Sequence, residues 1–219
     1  MKETGLMFKG SLVRAILEDR KTQTRRLVKP APAADQLMLR GITTETGLVY
    51  ARSIEQINSQ NIRRIRWESP VGQPGDRIYV RETWSPDPPC DGTWCYTSWV
   101  GCRQGQIEGV PERFRNPEHC MYAASTNTDM VWTPSVHMPK WAARIWLEIT
   151  GVRVERLQDI GEEDAKAEGA PLKNSPAAHL TSYRRGFQEV WESTGGDWAD
   201  NPWVWVYDFK TISTTGRSA

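Results

Sequence analysis

The sequence lacks several features that would assign a protein to a class at once. It has only 3 His and 4 Cys among 219 residues, and its 28 Lys and Arg nearly balance its 27 Asp and Glu. No apolar run approaches the roughly 18 residues that a transmembrane helix needs, and the polar residues 1–4 are not typical of a signal peptide. With 38% hydrophobic and 25% charged residues, we expect a soluble, cytoplasmic, globular protein without a membrane partner.

The sequence also lacks the common signatures of nucleotide-dependent and hydrolytic enzymes. It contains no P-loop, no Rossmann glycine pattern and no Ser-His-Asp set in a recognised sequence context. Nucleotide-driven chemistry and hydride transfer therefore have no support from sequence motifs.

The near-zero net charge hides an uneven distribution. Residues 1–81 hold 15 Lys and Arg against 8 Asp and Glu, a net charge of +7, whereas residues 82–219 hold 13 against 19, a net charge of −6. A basic segment in an otherwise acidic chain is a recognised indication of a polyanion partner. The alternative is that the two parts neutralise each other across the fold, and the charge alone does not decide between them.

All four cysteines lie within 31 residues of each other. Cys90, Cys95, Cys102 and Cys120 have the spacing C-x4-C-x6-C-x17-C, which lacks the C-x2-C pairs that place two thiolates on one tetrahedral zinc ion. Disulfides are unusual in cytosolic proteins. The sequence leaves two alternatives, a structural zinc site and free thiols in a long insertion, and it indicates no other cofactor.

Tryptophan is unusually abundant, with 11 residues. Those between positions 84 and 141 are candidates for stacking on nucleic-acid bases, because every base presents a π-face. We expect some of them to pack in a core instead, as we expect for Trp191 and Trp205. The candidates for stacking are Trp84, Trp94, Trp99, Trp132 and Trp141.

Alternating and helical hydrophobic patterns predict many strands and few helices. Residues 85–140 are rich in Pro, Gly, Cys and Trp, and we interpret them as a long insertion packed on the domain. The whole pattern predicts one α+β domain over residues 1–219, built as a small mixed β-barrel with a few peripheral helices. Predicted strands are residues 7–8, 21–28, 77–84, 141–156 with a bend near Gly151, and 203–212; predicted helices are residues 12–18 after an N-cap at Ser11, 162–168 before Gly169, and 180–192.

Residues 20–26 hold the highest density of charged and hydroxyl side chains, with the sequence Arg-Lys-Thr-Gln-Thr-Arg-Arg. Four cations and two hydroxyls on one strand suit a phosphate or a nucleotide, because guanidinium groups and hydroxyls donate to phosphate oxygens. Arg20, Thr22, Arg25 and Arg26 are therefore candidate ligand-binding residues. The alternative is a solvated strand edge that is kept basic to avoid aggregation.

Six strings of the sequence form a pattern that is typical of one protein family. They are Gly-Leu-Met-Phe at 5–8, Ile-Leu-Glu-Asp-Arg-Lys-Thr-Gln-Thr-Arg-Arg at 16–26, Gly-Asp-Arg-Ile-Tyr-Val-Arg-Glu-Thr-Trp at 75–84, Pro-Ser-Val-His-Met-Pro-Lys-Trp-Ala-Ala-Arg at 134–144, Gln-Asp-Ile-Gly-Glu-Glu-Asp-Ala-Lys-Ala-Glu-Gly at 158–169 and Asn-Pro-Trp-Val-Trp-Val-Tyr-Asp-Phe at 201–209. These strings resemble ASCH domains, which are relatives of the PUA fold, and in particular the longer ASCH proteins of phage and prophage genomes. The similarity covers most of the chain except about residues 30–60 and the Cys-rich stretch. It implies a PUA-like β-barrel with a cleft suited to RNA or a modified base.

One branch of the ASCH family consists of small N4-acetylcytidine amidohydrolases that use a Lys, a Thr and a Glu. The resemblance assigns these roles to Lys21 and Thr24, through a Lys-x-x-Thr pair, and to Glu168, by alignment of residues 160–169. Arg26 matches a basic position of the same branch. Such a set is chemically sensible, because a desolvated Lys amine can take the proton of a hydroxyl nucleophile and a carboxylate can pass it to the leaving amine.

Residues outside the basic string are further candidates for the cleft. Arg81 and Glu82 lie on alternate faces of a predicted strand, so one of them can present its charge there. Trp84 is a candidate for stacking on a base. His137, flanked by prolines, is a candidate base or a structural hydrogen-bonding residue.

Three functions remain open at the level of the sequence. The first is binding of RNA or a modified nucleoside in a basic cleft lined by Lys21, Thr24, Arg26 and Glu168. The second is an amidohydrolase that acts on N4-acylated cytidine. The third is a phage accessory or assembly scaffold that binds other proteins, none of which the sequence identifies.

Overall fold

A computed structural model describes residues 1–29, 48–52, 64–87, 110, 112–129, 131–174 and 181–216 of the chain, and for residues 48–52 and 64–67 it describes the main chain alone. The architecture is α+β with few helices, as the hydrophobic patterns predict. The helices are α1 (Gly10–Leu17), α2 (Glu162–Ala167) and α3 (Tyr183–Glu192). The strands are β1 (Glu3–Met7), β2 (Gln23–Leu27), β3 (Leu48–Arg52), β4 (Arg64–Glu68), β5 (Arg77–Arg81), β6 (Trp84–Pro86), β7 (Cys120–Tyr122), β8 (Trp146–Arg156), β9 (Lys173–Asn174), β10 (Thr181–Ser182) and β11 (Trp203–Ser213).

The main sheet has five strands in the order β1-β5-β8-β11-β2. Strand β1 runs parallel to β5, and β2 runs antiparallel to β11 with Thr24 opposite Tyr207. Three further strand pairs join β3 to β4, β6 to β7 and β9 to β10. The described residues form no closed barrel, so the PUA-like barrel stays a prediction.

The packing of the main chain divides the protein into two compact units. Unit 1 comprises residues 1–2, 19–76 and 148–210, and unit 2 comprises residues 3–18, 77–147 and 211–219. Strands β8 and β11 each contribute residues to both units. The single domain expected over residues 1–219 stays a prediction.

The core of unit 1 includes the face of α3 that carries Phe187 and Trp191. Their ring centroids lie 6.2 Å apart, beside buried valines of β11. A Cβ on Gly186 would lie 1.8 Å from the Pro171 carbonyl oxygen, so only glycine allows this approach of the helix to the chain. Both Trp191 and Trp205 are buried, as predicted.

The core of unit 2 is built around Trp84, whose side chain is fully buried. Its indole meets Trp141 edge to face, with ring centroids 5.5 Å apart, and the pairing of β6 with β7 places Tyr122 opposite it. Trp84 therefore packs in the core of unit 2, and a stacking role for it stays a prediction. Trp94 and Trp99 lie outside the described residues.

Helix α1 begins one residue before the predicted N-cap. It starts at Gly10 with Lys9 as its N-cap, where the sequence predicts Ser11. The reason is that the amides of Leu12 and Val13 both donate to the Lys9 carbonyl oxygen, each at 2.9 Å. This places Ser11 inside the first turn of the helix.

Strand β8 continues through Gly151, where the sequence predicts a bend. A Cβ at this position would lie 2.9 Å from a carboxylate oxygen of Asp208 on the neighbouring strand β11. Gly151 therefore leaves room for the Asp208 side chain and does not form a turn. Trp141, predicted in a strand, lies in a 3-10 turn over Lys140–Ala142.

Candidate functional site

The candidate site lies in unit 1, where the start of the basic string meets the end of α2. Lys21 and Glu168 form an isolated antiparallel bridge, and the Thr22 amide donates to the Ala167 carbonyl oxygen at 2.8 Å. Helix α2 ends at Ala167, and Gly169 takes a left-handed φ of 74°, as expected for the predicted helix-ending glycine. The main chain thus places Glu168 beside Lys21, although 147 positions separate them in the sequence.

The ammonium of Lys21 is enclosed by oxygen acceptors. Its Nζ lies 2.6 Å from Glu168 Oε2, 2.8 Å from the Glu168 carbonyl oxygen and 2.6 Å from the Gln23 carbonyl oxygen. Only 1% of Lys21 and 5% of Glu168 is exposed. Burial lowers the pKa of Lys21 below its ordinary 10.5, against the attraction of Glu168, which raises it. The folded chain therefore favours the neutral amine of Lys21 more than water does.

Arg25 belongs to the same buried network. Its guanidinium donates to Glu168 Oε1 at 3.2 Å, to Glu155 Oε2 at 3.0 Å and to the side-chain oxygen of Gln23. The Asp164 carboxylate lies 3.6 Å away, and the Arg25 side chain is fully buried. The guanidinium is therefore surrounded by three carboxylates and does not face solvent, and a ligand-binding role for Arg25 stays a prediction.

Arg153 of β8 extends this network on its solvent side. It donates to Glu155 Oε1 at 2.5 Å, to Asp208 Oδ2 at 2.6 Å and to Asp164 Oδ1 at 3.3 Å. Gln23 also bonds to Asp208, at 2.7 Å. Arg153 and Arg25 therefore share the acids Glu155 and Asp164, and the whole set is one connected cluster.

The charges of this cluster balance within unit 1. Burial lowers the pKa of Arg26, whose charge interacts with Glu168, so Arg26 belongs to the same electrostatic set. For these residues the structure favours mutual neutralisation over a purely basic surface. The set consists of four cations, Lys21, Arg25, Arg26 and Arg153, and four carboxylates, Glu155, Asp164, Glu168 and Asp208.

Sequence reasoning missed three of the acids, Glu155, Asp164 and Asp208. A signal existed for Asp208, which is the one charged residue in the otherwise apolar and aromatic run 203–209. A lone acid in such a strand indicates a buried or half-buried cationic partner. No comparable signal marks Asp164, which is one of several acids in α2.

Thr24 lies three residues from Lys21 and is 3% exposed. Its main chain pairs with Tyr207, whose hydroxyl lies 2.9 Å from Ser69 Oγ. Within the part of the chain that the structure describes, no hydrogen bond joins the Thr24 hydroxyl to Lys21 or Glu168. The structure thus brings Lys21 and Glu168 into contact, and the role of Thr24 stays a prediction.

A cavity of about 360 Å³ lies beside this segment, and its lining includes two members of the basic string and the acids Asp19 and Glu163. Arg20 and Thr22 are exposed, unlike Lys21, and both line the cavity. Lys166 of α2 and Tyr183 of α3 line it too, with the Lys166 ammonium 6.0 Å from the centre of the Tyr183 ring. The basic string therefore has a buried set and a cavity-lining set.

The remaining predicted cleft residues belong to unit 2. Arg81 donates to the carbonyl oxygens of Met138, at 3.1 Å, and Val136. Glu82 accepts two hydrogen bonds from Arg144, at 2.9 and 3.0 Å. His137 lies in the 3-10 turn Ser135–His137, and Trp84 is in the core of this unit. All of these contacts are with residues of unit 2, and ligand binding by Arg81, Trp84 and His137 stays a prediction.

The cysteines give no metal ligand set in the described residues. Cys120 is a buried free thiol, and burial raises its pKa to about 12. Cys90, Cys95 and Cys102 lie outside the described residues, so both alternatives for the four cysteines stay open. No group of three His, Cys, Asp or Glu in the described ranges has the arrangement needed for a metal ion.

Comparisons with known proteins give no assignment, since no family model, no curated protein and no solved structure matches the chain. The ASCH resemblance therefore stays a prediction.

None of the helices in the described part of the chain has the length and apolar character required to cross a membrane.

We predict that Lys21 makes stability depend on pH. Its pKa in the folded chain is lower than the ordinary 10.5, so the unfolded chain binds more protons between the two values. The contribution of Lys21 to the free energy of unfolding therefore rises with pH across that interval. We expect the stability difference between wild type and Lys21→Met, from urea denaturation at several pH values, to grow towards pH 10.5; a difference that stays flat or shrinks would contradict the lowered pKa.

Proposed function

We propose that unit 1 binds a modified nucleoside, or RNA that contains one, at residues 20–26 and Glu168. The observation that carries this proposal is the buried contact between Lys21 and Glu168 at 2.6 Å. These are two of the three residues to which the ASCH resemblance assigns the chemistry of a nucleoside site. Burial of an ionisable pair costs desolvation energy, and groups with perturbed pKa values concentrate at functional sites.

The cavity beside the pair supports the proposal, because it offers the ligand polar groups that the buried cluster does not. Its volume of about 360 Å³ is within the usual range for small-molecule sites. Arg20 and Lys166 supply two cations and Thr22 a hydroxyl for phosphate oxygens, beside two carboxylates, Asp19 and Glu163, that can accept hydrogen bonds from a nucleoside. The ring of Tyr183 supplies a stacking surface for a base.

RNA binding should depend on salt and on Arg20. Each phosphate contact to single-stranded RNA releases counterions, so loss of one contact should reduce the slope of log affinity against log salt by about 0.7. We expect Arg20→Gln to weaken binding of a fluorescent oligoribonucleotide and to reduce this slope, measured by anisotropy. Lys173→Gln is the matched control, because Lys173 is an exposed cation of the same unit that does not line the cavity. Equal effects of the two variants, or affinity that does not change with salt, would contradict the proposal.

A second candidate function is hydrolysis of the N4-acyl group of an acylated cytidine. The observation that favours it is the contact of the buried Lys21 ammonium with Glu168 Oε2 at 2.6 Å. Burial lowers the pKa of Lys21, which makes it easier for the amine to lose its proton and then to accept one from a hydroxyl. Glu168 contacts that amine directly. Thr24, three residues further along, is the assigned nucleophile.

The reaction is an acyl transfer to Thr24 followed by hydrolysis. The Thr24 oxygen attacks the acyl carbonyl carbon while its proton passes to Lys21. The C–N4 bond then breaks, and N4 leaves as an amine with that proton, passed on through Glu168. Water next attacks the ester, which releases the carboxylic acid and restores the hydroxyl. This sequence requires the Thr24 hydroxyl to come within hydrogen-bond distance of Lys21 Nζ when substrate is bound.

A further inference from the structure

We propose that unit 1 carries a second pocket, which binds a guanine nucleotide. The pocket is a cavity of about 630 Å³ at the end of β2, the end of α3 and the start of β11. This volume is typical of small-molecule sites. None of its lining residues belongs to residues 20–26 or is Glu168. The inference therefore goes beyond the proposed function. Experiments can disprove the second pocket without disproving the nucleoside site at residues 20–26 and Glu168, and the reverse.

The pocket has a flat surface on which a base can stack. The guanidinium carbon of Arg156 lies 4.3 Å from the centre of the Trp203 ring, and both residues line the cavity. Arg156 also donates to the Asn201 carbonyl oxygen at 3.1 Å, which holds the guanidinium in place. Trp203 is only half-buried. Aromatic rings and guanidinium planes are the surfaces on which proteins stack nucleobases.

One residue of the pocket wall has a buried hydrogen-bond donor without an acceptor. Trp191 lines the cavity and is 9% exposed, and its Nε1–H is buried with no acceptor among the described residues. A Cβ on Gly196 would lie 2.3 Å from Nε1, so glycine at this position leaves no side chain against the indole edge. Because an unsatisfied buried donor is unfavourable, a ligand that brings an acceptor oxygen or nitrogen is favoured here.

Two carboxylates at the pocket favour guanine over the other bases. Asp197 and Asp200 are exposed, line the cavity and form no ion pair with any described residue. One oxygen of Asp197 accepts a hydrogen bond from the Ala199 amide at 2.8 Å, which leaves its other oxygen and the Asp200 carboxylate for a ligand. Guanine presents two adjacent N–H donors and an acceptor oxygen on one edge, which matches a carboxylate together with an N–H donor. Adenine, cytosine and uracil each present one donor group on that edge. The pocket therefore selects guanine by its hydrogen-bonding edge.

Lys29 supplies the charge that a nucleotide needs. It lines the same cavity, is exposed and has no ion pair with the rest of the described chain. An ammonium at the rim of a base pocket attracts a phosphate group. A guanine nucleotide therefore fits the pocket better than the free base does.

Titration calorimetry with GMP and AMP tests the pocket. We expect saturable binding of GMP and weaker binding of AMP, by about tenfold or more, because AMP loses the paired donors. The double substitution Asp197→Asn with Asp200→Asn should weaken GMP binding by a similar factor. Asp159→Asn should leave it unchanged, because Asp159 is an exposed acid of the same unit outside the cavity. Absence of wild-type binding to both GMP and a G-containing oligoribonucleotide, equal affinity for GMP and AMP, or equal effects of the two substitutions would overturn the proposal.

A second comparison distinguishes a free nucleotide from a guanosine within RNA. An oligoribonucleotide with a single G and the same oligonucleotide with A in that place are titrated beside GMP. If the G oligonucleotide binds more tightly than both GMP and the A oligonucleotide, the pocket binds a guanosine within RNA. If only GMP binds, the pocket binds a free guanine nucleotide. Equal binding of the two oligonucleotides without GMP binding overturns it. Binding or cleavage of N4-acetylcytidine should not change in the Asp197/Asp200 variant, which keeps this test separate from the proposed function.

Discussion

Substitution of Lys21 by Met is expected to lower the free energy of unfolding by about 3–5 kcal/mol, because it leaves a buried carboxylate without its ion-pair partner. Met has a similar length and fills the same space. Glu168 would keep the hydrogen bond from Arg25 at 3.2 Å but would lose the shorter one from Lys21 at 2.6 Å. Urea denaturation at neutral pH measures the change.

The matched control is Lys173→Met in the same unit. Lys173 pairs with Glu189 at 3.1 Å, but both side chains are nearly half exposed, so the loss should be about 0–1 kcal/mol. The double substitution Lys21→Met with Glu168→Gln removes both buried charges, and we expect it to cost less than the sum of the two single substitutions. Equal losses from Lys21→Met and Lys173→Met, or additive single effects, would contradict a coupled buried pair.

Substitution of Thr24 by Val is expected to abolish cleavage of N4-acetylcytidine, with a loss of about 10⁴-fold or more if Thr24 is the nucleophile. Val has nearly the same shape as Thr and belongs on a strand, so the fold should be kept. The release of acetate, followed by proton NMR, measures turnover directly. Binding of the nucleoside should persist in this variant, because the lost group acts in bond formation.

Two controls separate chemistry from structure in this experiment. Thr24→Ser keeps a hydroxyl and should retain measurable turnover, and Thr215→Val changes an exposed Thr of unit 2 and should leave turnover unchanged. Turnover by Thr24→Val close to that of the wild type would remove Thr24 from the mechanism. If the wild type binds the nucleoside without cleaving it, the binding function stands and the amidohydrolase candidate is withdrawn.

Local patterns predicted the elements of this chain better than their arrangement. Strand β2, helix α2 with its terminal Gly169, and the burial of Trp191 and Trp205 all follow from the alternation of residue types and from glycine's freedom at positive φ. The contact of Lys21 with Glu168 does not follow from local pattern, because 147 positions separate the two residues. This contact could be predicted only because the resemblance assigned both residues to one site.

The environment of Arg25 shows why the other contacts of the site could not be predicted from the sequence. A cation in a basic string is expected at the surface, yet three carboxylates from β8 and from the end and the interior of α2 enclose this one. Which acids meet it depends on how β8 and α2 pack against β2, and that packing is a property of the whole fold. Gly151 is a similar case, because the side chain that lies against it, Asp208, comes from another strand.

A titration of Thr-methyl-labelled protein with N4-acetylcytidine, followed by NMR, tests the central claim most directly. Resonances of Thr22 and Thr24 are assigned by their loss in the Val variants. We predict that both shift along one saturation curve while the Thr215 resonance in unit 2 stays in place, and that any cleavage appears in the same spectra as free acetate. Saturable binding that moves Thr215 and leaves Thr22 and Thr24 unchanged, or no binding and no cleavage at all, would contradict a nucleoside site at residues 20–26 and Glu168.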